Sequence, residues 1–363
     1  MSSTWGETLR LSLFGESHGA GIGVVLDGLP AGEPLDRDEI AFQMARRAPG
    51  HDPASTARRE ADAPEILSGV RNGRTTGAPL CAVIRNADTR SGDYADFARF
   101  PRPGHADYTA RLRYGGFADM RGSGHFSGRL TAPMVFAGAV CRGILTRRGV
   151  EIGAHLLEAG GARGSSLDPV RTDKELLRAL AHRAFPVLDL GDEPKLRAAI
   201  EAARRDGDSV GGVVECAAVG LPAGLGDPIF GRVENRLASI LFGIPAVKGL
   251  EFGAGFAAAR TRGSENNDPF VWDAGTVKTS SNRHGGVLGG ITTGMPLLFR
   301  LAVKPTPSIA KPQQTVDLEE GTAAALSIHG RHDPCAAVRA VPVVEALTAV
   351  CLLDLRLAPR QFE

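Results

Sequence analysis

The chain has 363 residues, 43% of them hydrophobic and 23% charged, which allows a large buried core in one large or two medium soluble domains. Its formal net charge of +1 excludes a general nucleic-acid or membrane-surface binder, so any anion affinity must come from local arginine clusters. No apolar run reads as the ~18 residues of a membrane span, and Met1 to Phe14 lacks the basic and long apolar stretches of a signal peptide.

In chain order, Leu9, Leu11 and Leu13 alternate with polar residues, the period of a half-buried strand, and Gly23 to Asp27 reads as a second strand. Asp36 to Arg47 is a helix with Asp36 as cap and Pro49-Gly50 as stop. Leu80 to Arg85 is a strand, and Pro133 to Leu145 a long apolar helix. Residues 157 to 208 form a charged, Ala- and Arg-rich peripheral insertion with helices over Thr172–Ala184 and Glu193–Arg205. Gly212 to Glu215 and Leu297 to Val303 are strands. Pro334 to Leu355 is a second long apolar helix, with Asp333 as N-cap and Pro334 at its first position.

Three pieces recur in the same order. Gly28-Leu29-Pro30-Ala31-Gly32 returns as Gly220-Leu221-Pro222-Ala223-Gly224, and Thr75-Thr76-Gly77-Ala78-Pro79-Leu80 as Thr292-Thr293-Gly294-Met295-Pro296-Leu297. Pro133-x-Val135-x-Ala137 returns as Pro342-x-Val344-x-Ala346. An internal duplication follows, with halves at about 6–150 and 209–358 inside one domain of 1–363. Strands and helices mix without a βαβ cadence, so the expected class is α+β.

The 46 glycines, nearly twice the usual ~7% share, sit in motifs rather than low-complexity tracts. Phe14-Gly15-Glu16-Ser17-His18-Gly19 places a sterically open histidine in a tight turn, where it can titrate near neutrality; a turn histidine satisfied by backbone accounts for it equally. Arg102-Pro103-Gly104-His105-Ala106-Asp107-Tyr108 repeats the theme with an arginine and an aspartate nearby. Arg121 to Arg129 runs glycine-rich backbone toward the first long helix, whose N-terminus is a candidate anion cradle. Asn282 to Gly290 and Lys304-Pro305-Thr306-Pro307-Ser308 suit a second anionic group. His329 and His332 lack a third ligand at useful spacing, so no metal is expected. The five dispersed cysteines (Cys81, Cys141, Cys216, Cys335, Cys351) contain no CxxC pair and read as reduced thiols of a cytoplasmic protein. Together these features describe a site for a polyanionic substrate and a phosphate-bearing cofactor.

At these motifs the sequence resembles the chorismate synthase family. Gly15 to Gly19 with Asp27-Gly28, Arg102 to Tyr108, Gly263-Ser264-Glu265-Asn266, Gly285 to Ile291, Lys304-Pro305-Thr306 and Gly330-Arg331-His332-Asp333-Pro334-Cys335 look like that family's blocks, as do Arg339 to Pro342 and Glu345-Ala346, and they span residues 6 to 355. The resemblance implies an anti-1,4-elimination of phosphate from 5-enolpyruvylshikimate 3-phosphate, giving chorismate. It also implies reduced FMN, which lends an electron transiently without net redox change, with NADPH as a candidate reductant. It implies a β-α-β sandwich with pseudo-two-fold symmetry, sheets flanking core helices, and a homotetramer. By similarity His105 serves the departing phosphate and His18 the reduced flavin's protonation state. Asp333 assists proton removal, with Ser17 and Ser127 in its hydrogen-bond network. Arg47, Arg102, Arg129 and Arg331 meet the substrate's anionic groups. The flavin lies along His125, Phe126, Ser127, Ala246, Gly289, the Lys304 to Ser308 segment and Arg331.

Some positions depart from the common pattern. His125 and Phe126 stand where many members have an arginine and a serine, and Pro53 where an arginine is common. Two other readings of the same residues are an FMN-dependent oxidoreductase or flavin reductase, and an inactive flavin-binding paralogue.

Overall fold

A computed structural model describes residues 3–50, 62–86, 97–328 and 333–358. Arg331, Pro53 and the His329/His332 pair lie outside those residues. Two five-stranded sheets, antiparallel at every pairing, form the frame. The first runs Thr4–Trp5, Arg10–Gly15, Gly21–Asp27, Leu80–Arg85, Pro64–Ser68 in spatial order. The second runs Val247–Phe252, Leu297–Val303, Gly212–Val219, Glu151–Ala159, Ala162–Arg163.

The repeated peptides do the same work in each sheet. Leu26 pairs with Leu80 in the first and Ala218 with Leu297 in the second, the same offsets from the two repeats. Thr75 Oγ1 donates to Pro30 O at 2.6 Å and accepts from Glu33 N at 2.9 Å. Thr292 Oγ1 donates to Pro222 O at 2.7 Å and accepts from Leu225 N at 2.9 Å. A threonine is needed because one hydroxyl must satisfy a carbonyl and an amide of the facing turn together.

Between the sheets lie two long helices. Thr131–Arg147 packs on the first sheet, Ala336–Leu357 on the second, and the helices pack on each other. They cross at Gly138, where an added Cβ would fall 2.2 Å from Ala346 Cβ. Glycine lowers helix propensity by roughly 1 kcal/mol, and here it is what lets the axes approach. Glu345 ties the layers at the same level: its carboxylate accepts from Arg46 at 2.5 and 3.1 Å, from Arg142 at 3.0 Å and from Ala154 N at 2.9 Å.

Several expectations are corrected. Ala336–Leu357 is long and apolar enough to cross a membrane, contrary to the sequence reading, but 89% of its most apolar window is buried as the core helix of this fold. Its N-cap is Cys335, two residues past Asp333, so Asp333 is not the cap and Pro334 is not its first residue. Asp173, not Thr172, starts the Lys174–Ala181 helix, its carboxylate accepting from Leu176 N at 2.8 Å. The strand preceding that segment runs to Ala159, past residue 157.

The glycine-rich run does not open the long helix either. Gly122, Ser123 and Gly124 have φ of 59°, 71° and 53°, and the helix begins only at Thr131. Ser127 caps a separate short turn, accepting from Arg129 N at 3.3 Å.

Candidate active site

Loops from both ends of the chain enclose a cavity of about 380 Å³, whose walls come from 102–106, 122–131, 244–246, 304–308 and the start of the final helix. One wall is a cluster of guanidinium groups. Arg47 is placed by the C-terminus of the Arg37–Arg47 helix, where a cation complements the helix dipole. Its Nε donates to Thr131 Oγ1 at 2.9 Å, its Nη2 to Gly128 O at 3.0 Å and its Nη1 to Asp62 Oδ2 at 2.5 Å. The other Asp62 oxygen accepts from Arg129 Nη1. Arg339, in the first turn of the final helix, donates from Nε to Arg47 O at 3.2 Å and from Nη1 to Asp333 Oδ2 at 2.8 Å.

Three guanidinium groups thus face the cavity with two carboxylates beside them. Burial first, and then the Arg339 charge, push Arg47 down to about 10 against the opposing pull of Asp62. Burial would raise Asp62, but the charges of Arg47 and Arg129 overcome it and hold the carboxyl below its usual range. An incoming anion would relieve the excess positive charge, which is the electrostatic reason to expect one here.

Another part of the lining is built on Asp107. Arg102 forks onto it with Nε and Nη2, each at 2.7 Å, and Arg102 N adds a third bond at 2.9 Å. The guanidinium lies over the Phe97 ring at 4.5 Å and reaches Ser123 Oγ at 3.1 Å. Arg102 therefore reaches the cavity already paired. His105 follows the tight turn at Gly104, φ +71°, and its Nδ1 sits 3.1 Å from Asp107 Oδ1 and 3.2 Å from Arg102 Nη2. That leaves Nε2 as the nitrogen available to a ligand. Burial works to raise Asp107, yet its bonds to Arg102 and His105 hold it well below the usual carboxylate range.

His18 and Ser17 are buried directly behind this wall. An added Cβ on Gly122 would fall 2.4 Å from His18 Cδ2 and 2.8 Å from Ser17 Oγ, so both pack on backbone that itself lines the cavity. Ser17 N donates to Gly124 O at 3.1 Å.

Among the residues expected from sequence, Arg47, Arg102, His105, Phe126, Ser127, Arg129, Ala246, Lys304, Thr306, Pro307, Ser308 and Asp333 line this one cavity. Lys304 Nζ donates to Gly104 O, and burial followed by the Lys248 charge lowers its pKa. Five of the described ones do not line it: Ser17 and His18, which lie behind the wall at Gly122, and His125, Gly289 and Pro305. His125 turns toward Ser3 Oγ and Gly15 O, both at 2.9 Å. Gly289 sits in the turn between Val287–Leu288 and Ile291–Thr292, and Pro305 packs beside Gly211. Sequence reasoning gave Asp62 and Arg339 no role and Asp107 only a nearby place. Arg339 lay in a motif quoted for the family, whereas Asp62 has no local pattern to reveal it.

The arrangement can bind a polyanion beside a proton donor, with the apolar faces of Phe126, Ala246 and Pro307 offered to a planar group. Comparison with known proteins agrees with this chemistry. A family model described as chorismate synthase matches residues 9–357. A chorismate synthase of Korarchaeum cryptofilum is 51% identical over 96% of both chains. One from Pyrococcus abyssi is 48% identical over 99% of this chain and 98% of that one. A crystal structure of a chorismate synthase superimposes with a TM-score of 0.75 at 30% identity, covering 97% of this chain and 92% of that one.

Proposed function

Because the chain belongs to the chorismate synthase family of carbon–oxygen lyases, we propose that this cavity eliminates phosphate from 5-enolpyruvylshikimate 3-phosphate to give chorismate, the closing step of the shikimate pathway. The observation that supports the site assignment is that Arg47, Arg129 and Arg339 line one cavity together with His105. In the reaction the C3–O bond breaks, the C6 proton leaves, and the ring double bond shifts to form the diene. Charge grows on the departing phosphate, and fixed guanidinium groups lining the cavity stabilise it. His105 Nε2 hydrogen-bonds or protonates that phosphate while Asp107 holds Nδ1. Asp333, kept in place by Arg339, assists removal of the C6 proton, with Ser17 and Ser127 near its network.

The residues present fit reduced FMN: Phe126, Ala246 and Pro307 would bracket its ring, and Lys304, Thr306 and Ser308 would hold its phosphate. Held there, the flavin would supply transient electron donation with no net redox change. His18, behind Gly122, sets the protonation state on that side of the cavity. NADPH is the proposed external source of reducing equivalents. Five free thiols suit a reducing, cytoplasmic setting.

A homotetramer is the proposed assembly. The Phe270–Asp273/Thr276–Thr279 hairpin exposes Phe270, Trp272 and Val277, and an isolated two-stranded hairpin is marginal without a covering surface. Light scattering on the purified protein checks this.

The decisive assay is anaerobic, with dithionite-reduced FMN and enolpyruvylshikimate phosphate. Equal amounts of phosphate and chorismate are expected. NADPH oxidation with an acceptor and no phosphate release would instead identify a flavin oxidoreductase.

A further inference from the structure

Asp62 does not line the cavity, yet both of its oxygens hold residues that do. Its side chain is fully buried, and those of Arg47 and Arg129 are 3% and 5% exposed. It also adopts φ +44°, a conformation unusual for a residue with a Cβ. The two arginines come from distant elements, the end of the Arg37–Arg47 helix and the turn before Thr131–Arg147. Arg47 is steadied further by Thr131 and Gly128, and Arg129 by Asn86 Oδ1 at 3.3 Å, but Asp62 is the group that bonds both.

We propose that Asp62 is a positioning residue for anion recognition: from behind the wall it holds Arg47 and Arg129 as one preset pair at the cavity's edge, for the substrate's phosphate or carboxylate. For the substrate this rests on the lyase reading above; the anion-binding claim stands on the geometry. Preset donors need not reorganise when charge develops. The Asp62 charge also offsets repulsion among Arg47, Arg129 and Arg339, keeping Arg47 cationic at neutral pH.

The test uses the full chain and inorganic phosphate, the leaving group of the proposed reaction. Phosphate affinity by calorimetry, and KM and kcat for enolpyruvylshikimate phosphate, are measured from pH 7 to 9.5 for wild type, Asp62→Asn and Asp62→Glu. In Asp62→Asn, phosphate affinity should fall at least ~10-fold at pH 7.5 and fall further as pH rises, because Arg47 loses its counter-charge. KM should follow the same pH dependence, which a purely structural defect would not produce. A folded Asp62→Asn protein with wild-type phosphate affinity across this range overturns the proposal. Should that variant fail to fold, Asp62→Glu decides: it keeps the charge but moves the forks, so a weakened phosphate affinity supports positioning and wild-type affinity refutes it. A wild-type protein that shows no saturable phosphate binding also overturns it. Loss of phosphate binding in a protein without lyase activity would retain the positioning role and reject the reaction, so the two failures separate.

Discussion

Asp107 Oδ1 lies 3.1 Å from His105 Nδ1 while the same carboxylate holds the Arg102 fork at 2.7 Å. One buried anion therefore orients both a cation and an imidazole. Its depressed pKa keeps it charged throughout the neutral range, so the imidazole keeps its Nε2 toward the cavity.

Replacing His105 by Ala should cut kcat at least ~10-fold in a folded protein, within reach of the ~10²–10⁴ typical of acid–base assistance. Asp107→Asn should also lower kcat, because an amide in place of the carboxylate no longer holds Arg102 and the His105 ring as one paired unit. Full turnover in His105→Ala would remove that residue from the mechanism.

His18 depends on Gly122. An alanine there has no room beside the imidazole and is forced to φ +59°. Gly122→Ala should therefore reduce turnover to near that of His18→Ala, itself at least ~10-fold down, with little further loss in the double variant. Additive losses would show that His18 acts independently of this contact.

Glu345 is buried between Arg46 and Arg142, and their attraction outweighs the burial that would raise its pKa, holding it below its usual value. Its contribution to stability is thus present above the unfolded-state value near 4.5 and is lost as pH falls through the lower folded one. Glu345→Gln should cost about 3–5 kcal/mol near pH 7, since the buried Arg142 and the half-buried Arg46 guanidinium groups lose their counter-charge, and flatten the acid side of the stability profile. Denaturant titrations at pH 7 and pH 3.5 measure both effects.

Burial first, and then the Arg339 charge, lower the Arg47 pKa to about 10 in the intact cavity. Wild-type KM should therefore climb as pH approaches 10 and Arg47 loses its proton. In Arg339→Gln, KM at pH 7.5 should rise several-fold from the lost guanidinium, yet the alkaline climb should begin at higher pH. An unmoved alkaline limb would mean that Arg47 does not carry it.

The sequence by itself determined the elements that short-range chemistry specifies. Asp36 caps its helix, accepting from Asp38 N and Glu39 N. Thr75 and Thr292 staple equivalent turns, and the alternating strands appear where the pattern placed them. Those signals live within a few residues, where backbone sterics and local hydrogen bonds dominate. Histidines 18 and 105 were also legible, through their glycine turns and the family blocks around them.

Tertiary packing alone decided the rest. It brought Asp62 to Arg129 and Arg339 to Arg47 across 67 and 292 positions, turned His125 and Gly289 away from the cavity, and released Asp333 from a capping role to face Arg339. Such distances are set by how closely two helices cross at Gly138 and by which long-range ion pairs can close together. No local pattern in a chain encodes an angle between elements it has not yet packed.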